Sequence, residues 1–123
     1  MNKCKRMLID IYRCDFYLII GDVNFGNKKL DRLCCLNGDP LEDGYGGMTV
    51  FDDSGQLIAI YLPGWECLPS EIRNLVHESV HAASLVLNTT GVEHDIDNQE
   101  PLTYLTDTIF YECYNQLNKW INK

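Results

Sequence analysis

Two of the chain's three histidines stand four residues apart with a glutamate beside the first, in Val76-His77-Glu78-Ser79-Val80-His81-Ala82. On an α-helix, residues i and i+4 share a face one turn apart, so both imidazoles can reach one metal ion from the same side. The intervening Glu78 leans over the open side of that ion. Zinc held by three protein groups keeps a position for water and lowers its pKa to about 7, and a neighbouring carboxylate can take the proton as general base. Two histidines are one ligand short. After eighteen intervening residues comes Glu100, in Asp97-Asn98-Gln99-Glu100-Pro101, where another helix is expected to begin. The whole pattern is H-E-x-x-H-x18-E.

This pattern resembles the gluzincin class of zinc metallopeptidases, in which two helix histidines and a downstream glutamate bind zinc. The resemblance implies that His77, His81 and Glu100 are ligands of Zn2+ and Glu78 the catalytic base, with a peptide or protein as substrate. The chain's size and the run Glu100-Pro101-Leu102-Thr103-Tyr104-Leu105 are also similar to small phage-encoded zincin-like proteins. The specific part of the likeness covers about residues 70 to 107. Thermolysin-like gluzincins carry a Ser and an Asp three and four residues after the ligand glutamate, the Asp orienting a histidine; here those positions hold Thr103 and Tyr104. Asp107, one turn further on, is the residue left to orient His77. An oxyanion-stabilising group has to come from within the chain, and Tyr104 and Tyr111 qualify by position, against ordinary helix-face tyrosines.

Helical phase tests the pattern independently, since residues advance about 100° each. Ile72, Leu75, Val76, Ala82, Ala83, Val86 and Leu87 cluster on one side of the metal helix, and Arg73, Asn74, His77, His81, Ser84 and Asn88 on the other. Two histidines buried as core filler would need the opposite phase. Two solvated surface histidines are compatible with it, and that alternative stays open. The same count over the last helix sets Leu102, Leu105, Ile109, Cys113 and Trp120 against Glu100, Tyr104, Asp107, Tyr111 and Tyr114. Glu100 has a rival role as N3 of a capping box with Asp97 as N-cap.

These helices need a support. Met7 to Tyr12 and Phe16 to Ile20 are rich in β-branched and aromatic residues and predict a hairpin. Asn27 to Leu36 has apolar residues at three-and-four spacing and stops at Asn37-Gly38, predicting a short helix. Gly44-Tyr45-Gly46-Gly47 belongs to a loose loop or flap, with no phosphate-cradle pattern. Met48 to Phe51 and Gln56 to Leu62 predict a second hairpin, whose later strand runs into the metal helix and is expected to border the cleft. Extended peptides add to an exposed strand edge in zincins, a property carried over by resemblance. Trp65 either walls the cleft or packs. Ser70 is the expected N-cap of the metal helix, which runs to about Asn88 and stops at Gly91. The third histidine, His94, lies in an acidic loop. The last helix is expected from near Gln99 to Trp120, with Pro101 fixing its start.

Composition narrows the classes. The chain has 123 residues, enough for one domain, with 46% hydrophobic and 23% charged residues as in an ordinary globule. A net charge of −8 argues against binding a nucleic-acid backbone, which needs clustered Lys and Arg. The apolar run after the basic start is broken by Asp10 and Arg13, so neither a signal peptide nor a membrane span is expected, and a cytoplasmic setting follows. Six cysteines without a C-x-x-C pair read as reduced thiols.

The expectation is one zincin-like domain, residues 1–123, of the α+β class: a small antiparallel sheet with helices in the order ββαββαα. Its expected function is zinc-dependent hydrolysis, as a small metallopeptidase using Glu78 as base. The alternative is a non-catalytic binding or inhibitory protein on a peptidase-like scaffold, for which a strongly acidic surface would steer it to basic partners. A structural zinc fits less well, because such sites close with four Cys-rich ligands.

Overall fold

The computed structural model describes residues 1–9, 14–33, 40–52, 56–92 and 95–122. Its elements are β1 (Lys3–Met7), β2 (Asp15–Ile20), α1 (Val23–Arg32), β3 (Met48–Phe51), β4 (Leu57–Leu62), α2 (Pro69–Thr90) and α3 (Glu100–Ile121), the α+β order ββαββαα.

The runs Asp15-Phe-Tyr-Leu-Ile-Ile20 and Leu57-Ile-Ala-Ile-Tyr-Leu62 are apolar on both faces, the signature of strands covered above and below. They form the centre of a four-stranded sheet of order β1-β2-β4-β3. Phe16, Leu18, Ile20, Ile58, Ile60 and Leu62 point to one side, into a core completed by α2 and α3 through Leu75, Ala82, Val86, Leu105 and Ile109. Ile19, Ala59 and Tyr61 point to the other side, where Leu30 of α1 and Leu41 cover them.

β1 and β2 are antiparallel, as are β3 and β4, but β2 and β4 run parallel. The sheet is therefore mixed, and the expected antiparallel sheet holds only for its two outer pairs. The reason is the double covering: a central pair buried on both faces can be joined through a helix crossover, which α1 begins. The strand feeding α2 is consequently interior, paired on both sides, and the exposed edge beside α2 is β3. The first strand ends at Met7, earlier than expected, with Met7 opposite Phe16; residues 10–13 lie outside the described residues. α1 begins four residues before its expected start because the Asp22 side chain caps it, accepting from the Phe25 N–H at 2.8 Å. Its expected stop at Asn37-Gly38 lies outside the described residues, as do Cys34, Cys35 and His94.

α2 starts at Pro69, with Leu68 rather than Ser70 as N-cap. Leucine offers no acceptor, and Glu71 takes over: its Oε1 accepts from the N–H groups of Leu68 at 2.9 Å and Glu66 at 2.8 Å. Gly91 ends the helix at φ 76, the left-handed conformation that glycine adopts without penalty. Trp65 packs rather than walling a cleft; it is buried, and its Nε1 donates to Asn118 of α3 at 2.8 Å. Cys4, Cys14, Cys67 and Cys113 are free thiols. Among the described residues no helix is long and apolar enough to cross a membrane.

Candidate metal centre

α2 presents His77 and His81 to solvent, on the face opposite the buried Leu75, Ala82 and Val86. Their Nε2 atoms lie 3.1 Å apart, and the rings meet edge to face with centroids 4.6 Å apart. Zinc–nitrogen bonds of about 2.0–2.1 Å at a tetrahedral angle set two ligand nitrogens about 3.3 Å apart. Both imidazoles thus offer the same nitrogen to one point at nearly the spacing a shared metal ion requires. The pair supplies two of the three protein ligands of a catalytic zinc site, and the same 3.1 Å separation suits a hydrogen bond between the two imidazoles.

Glu78 is 7% exposed. One residue on from His77, its side chain turns about 100° round the helix, out of solvent and toward β3. There the Thr49 hydroxyl donates to Glu78 Oε1 at 2.8 Å and lies 3.1 Å from the Glu78 carbonyl oxygen. A buried carboxylate needs such partners, because its uncompensated burial costs several kcal/mol, of order the penalty for an ion taken from water. Gly47 closes the other side. A Cβ there would stand 3.1 Å from Glu78 Cγ and 3.1 Å from Leu62 Cδ2, so a side chain at this position would require its neighbours to give way by a few tenths of an ångström. A Cβ on Gly46 would stand 2.4 Å from Asn74 Nδ2. The glycine-rich stretch is thus packed on α2 at these two residues and forms a wall of the site.

Two hollows flank the His77–Glu78 step. One, of about 480 Å³, is lined by Gly46, Gly47, Ser70, Arg73 and Asn74 along with His77 and Glu78. The other, of about 440 Å³, is lined by Met48, Thr49, Phe51, Ser84 and Leu85 together with His77, Glu78 and His81. Neither contains a residue of α3.

Glu100 is the first residue of α3 and is exposed. Among the described residues no three of His, Cys, Asp and Glu stand close enough to share a metal ion, so His77 and His81 are brought together and Glu100 is not with them. Position along the helices is the reason: α2 continues for nine residues past His81, roughly 13 Å, before the chain turns toward α3. The capping-box role for Glu100 is absent as well, since the N-cap is Gln99 and its side chain makes no capping bond, donating instead to the Ile96 carbonyl at 3.1 Å. Tyr104 is 62% exposed, and Tyr111 and Asp107 are exposed too. All three lie exposed on α3, and none of them lines either hollow beside His77 and Glu78.

Sequence reasoning missed Thr49, Gly47, Asn74 and Arg73 as members of the site. The motif gives no pointer to Thr49, because its partnership with Glu78 spans 29 residues and depends on β3 being the edge nearest α2. No family model matches the chain, and comparisons with curated proteins and with solved structures likewise give no match.

Proposed function

We propose that the protein is a zinc-dependent hydrolase, a small metallopeptidase in which His77 and His81 hold the metal and Glu78 is the general base. The observation that carries this reading is the pair of Nε2 atoms 3.1 Å apart, next to a buried carboxylate that opens on the same hollows. Glu100, the third ligand that the sequence spacing assigns, stands apart from the histidine pair in this structure. The metal, when bound, supplies Lewis-acid activation of water and of the scissile carbonyl.

The chain's own residues do the rest. Thr49 donates to Oε1 of Glu78 and fixes the plane of the carboxylate, which leaves Oε2 free to take a proton from the attacking water. The same carboxyl group then returns that proton to the leaving amine. Burial beside Gly47 and Leu62 keeps bulk water from competing for it. β3, at the sheet edge, borders the hollow and is the strand along which an extended substrate would lie.

A second reading is a binding protein on the same scaffold that acts by contact alone. It is favoured by one observation, the exposed position of Glu100 apart from the histidine pair. Metal analysis and peptide hydrolysis separate the two. The hydrolase binds one zinc, loses it in His81→Ala, and in Glu78→Gln keeps zinc while losing turnover. Protein that takes up no zinc, or a Glu78→Gln variant that hydrolyses peptides at the original rate, rules the hydrolase out.

A further inference from the structure

Arg73 plays no part in the hydrolytic chemistry above, yet it lines the hollow that contains His77 and Glu78. It sits one turn before His77 on the exposed face of α2. Its guanidinium makes no ion pair or hydrogen bond with any described residue, although the chain has 18 acidic and 10 basic residues. Arg6, by contrast, bonds Asp15 at 2.7 Å. The polar groups beside Arg73 are Ser70 and Asn74, and the one carboxylate lining that hollow is Glu78, already bonded to Thr49. An unpaired guanidinium in a hollow is a fork of donors shaped for a carboxylate, which it binds through two parallel N–H···O bonds.

The hollow on the other side of His77 has a different character. Met48, Phe51 and Leu85 give it an apolar lining. The two meet at the His77–Glu78 step, so a peptide crossing that step meets a cation on one side and an apolar wall on the other.

We propose that the cleft selects peptides with a carboxylate on the Arg73 side and an apolar side chain on the Met48–Phe51–Leu85 side. The position of the scissile bond between them rests on the hydrolytic reading; recognition of the carboxylate does not. The carboxylate is either the substrate's C-terminus or an Asp or Glu side chain.

Binding measured by fluorescence anisotropy tests this on Glu78→Gln protein supplied with zinc. Four labelled peptides of one apolar sequence serve as probes: free C-terminus, amidated, amidated with an internal Glu, and amidated with Gln in its place. A carboxylate-bearing peptide is expected to bind about tenfold more tightly than its neutral counterpart. Arg73→Gln erases that preference and Arg73→Lys restores part of it. Whichever acid binds more tightly identifies the source. Equal affinities, no binding of any peptide, or a preference that persists in Arg73→Gln overturns the proposal. Preference without hydrolysis by the unsubstituted protein leaves carboxylate recognition standing and removes the hydrolytic reading alone.

Discussion

The hydroxyl of Thr49 on β3 donates to the carboxylate of Glu78 on α2 at 2.8 Å, joining the sheet edge to the residue proposed as general base. The same hydroxyl lies 3.1 Å from the Glu78 carbonyl, so its single proton is shared between the two acceptors, with the shorter bond to the carboxylate. A carboxylate whose partner comes from a different element keeps its orientation only while sheet and helix stay in register.

Thr49→Val keeps the β-branched shape and removes the donor. A buried carboxylate losing a hydrogen bond costs about 1–3 kcal/mol, and a free rotor in place of a fixed base lowers kcat. Denaturant midpoints and peptide hydrolysis are expected to show a folded protein with turnover reduced about tenfold, recovered largely in Thr49→Ser. Unchanged kcat in Thr49→Val would remove the positioning role.

Gly47→Ala tests the wall on the other side of the glutamate. The new methyl would meet Glu78 Cγ and Leu62 Cδ2, each at 3.1 Å, and either neighbour must give way by a few tenths of an ångström. Overpacking of this size costs about 1 kcal/mol or more. The expected result is a modest drop in stability with a disproportionate loss of turnover, while zinc content is kept because the atoms nearest the added group belong to Glu78, Leu62 and Tyr61. Equal losses in Gly47→Ala and Gly64→Ala would contradict it, since a Cβ on Gly64 meets nothing within 4 Å.

Glu100→Gln decides the third ligand. If Glu100 coordinates zinc, a zinc-competition titration will show affinity at least about tenfold weaker, whereas Tyr104→Phe will leave it unchanged. Equal zinc affinity in Glu100→Gln and the unsubstituted protein would leave a two-histidine site and take Glu100 out of it.

Alkaline pH should destabilise the fold through its thiols. Burial, with Glu112 adding repulsion, pushes the Cys113 thiol well above the ordinary range. Burial also raises Cys4 and Cys14. Below the unfolded-state value of about 8.5, both states hold the proton and the contribution to stability is complete. Above it the unfolded chain releases protons that the folded chain keeps, so stability falls as pH rises toward the folded value. For the wholly buried Cys113 the slope is about 1 kcal/mol per pH unit. Urea midpoints from pH 7 to 10 should decline above about pH 9, and less steeply in Cys113→Ala; identical slopes would show that Cys113 is not the cause.

Much of the molecule could be read from residue order. The ββαββαα succession follows from local signals: the β-branched and aromatic runs, Gly91 at a helix end, Pro101 near a helix start, and apolar stripes that bury Leu75, Ala82, Val86, Leu105 and Ile109. Helical phase likewise exposed both histidines and left Val76 as a misjudged stripe member at 44% exposure. Such features depend on neighbours within one or two turns, and their periodicity is written into the chain.

What the chain order left open are relations between distant segments. The parallel pairing of β2 with β4, and hence β3 as the exposed edge, depends on which faces α1 and α2 come to cover. Thr49 meets Glu78, Gly47 closes over it and Arg73 opens into the same hollow only because that edge lies against α2. Spacing alone likewise suggested that Glu100 would reach the histidines, but spacing counts residues while coordination needs coincidence in space. The added length of α2 beyond His81 and the start of α3 at Glu100 set where that carboxylate falls.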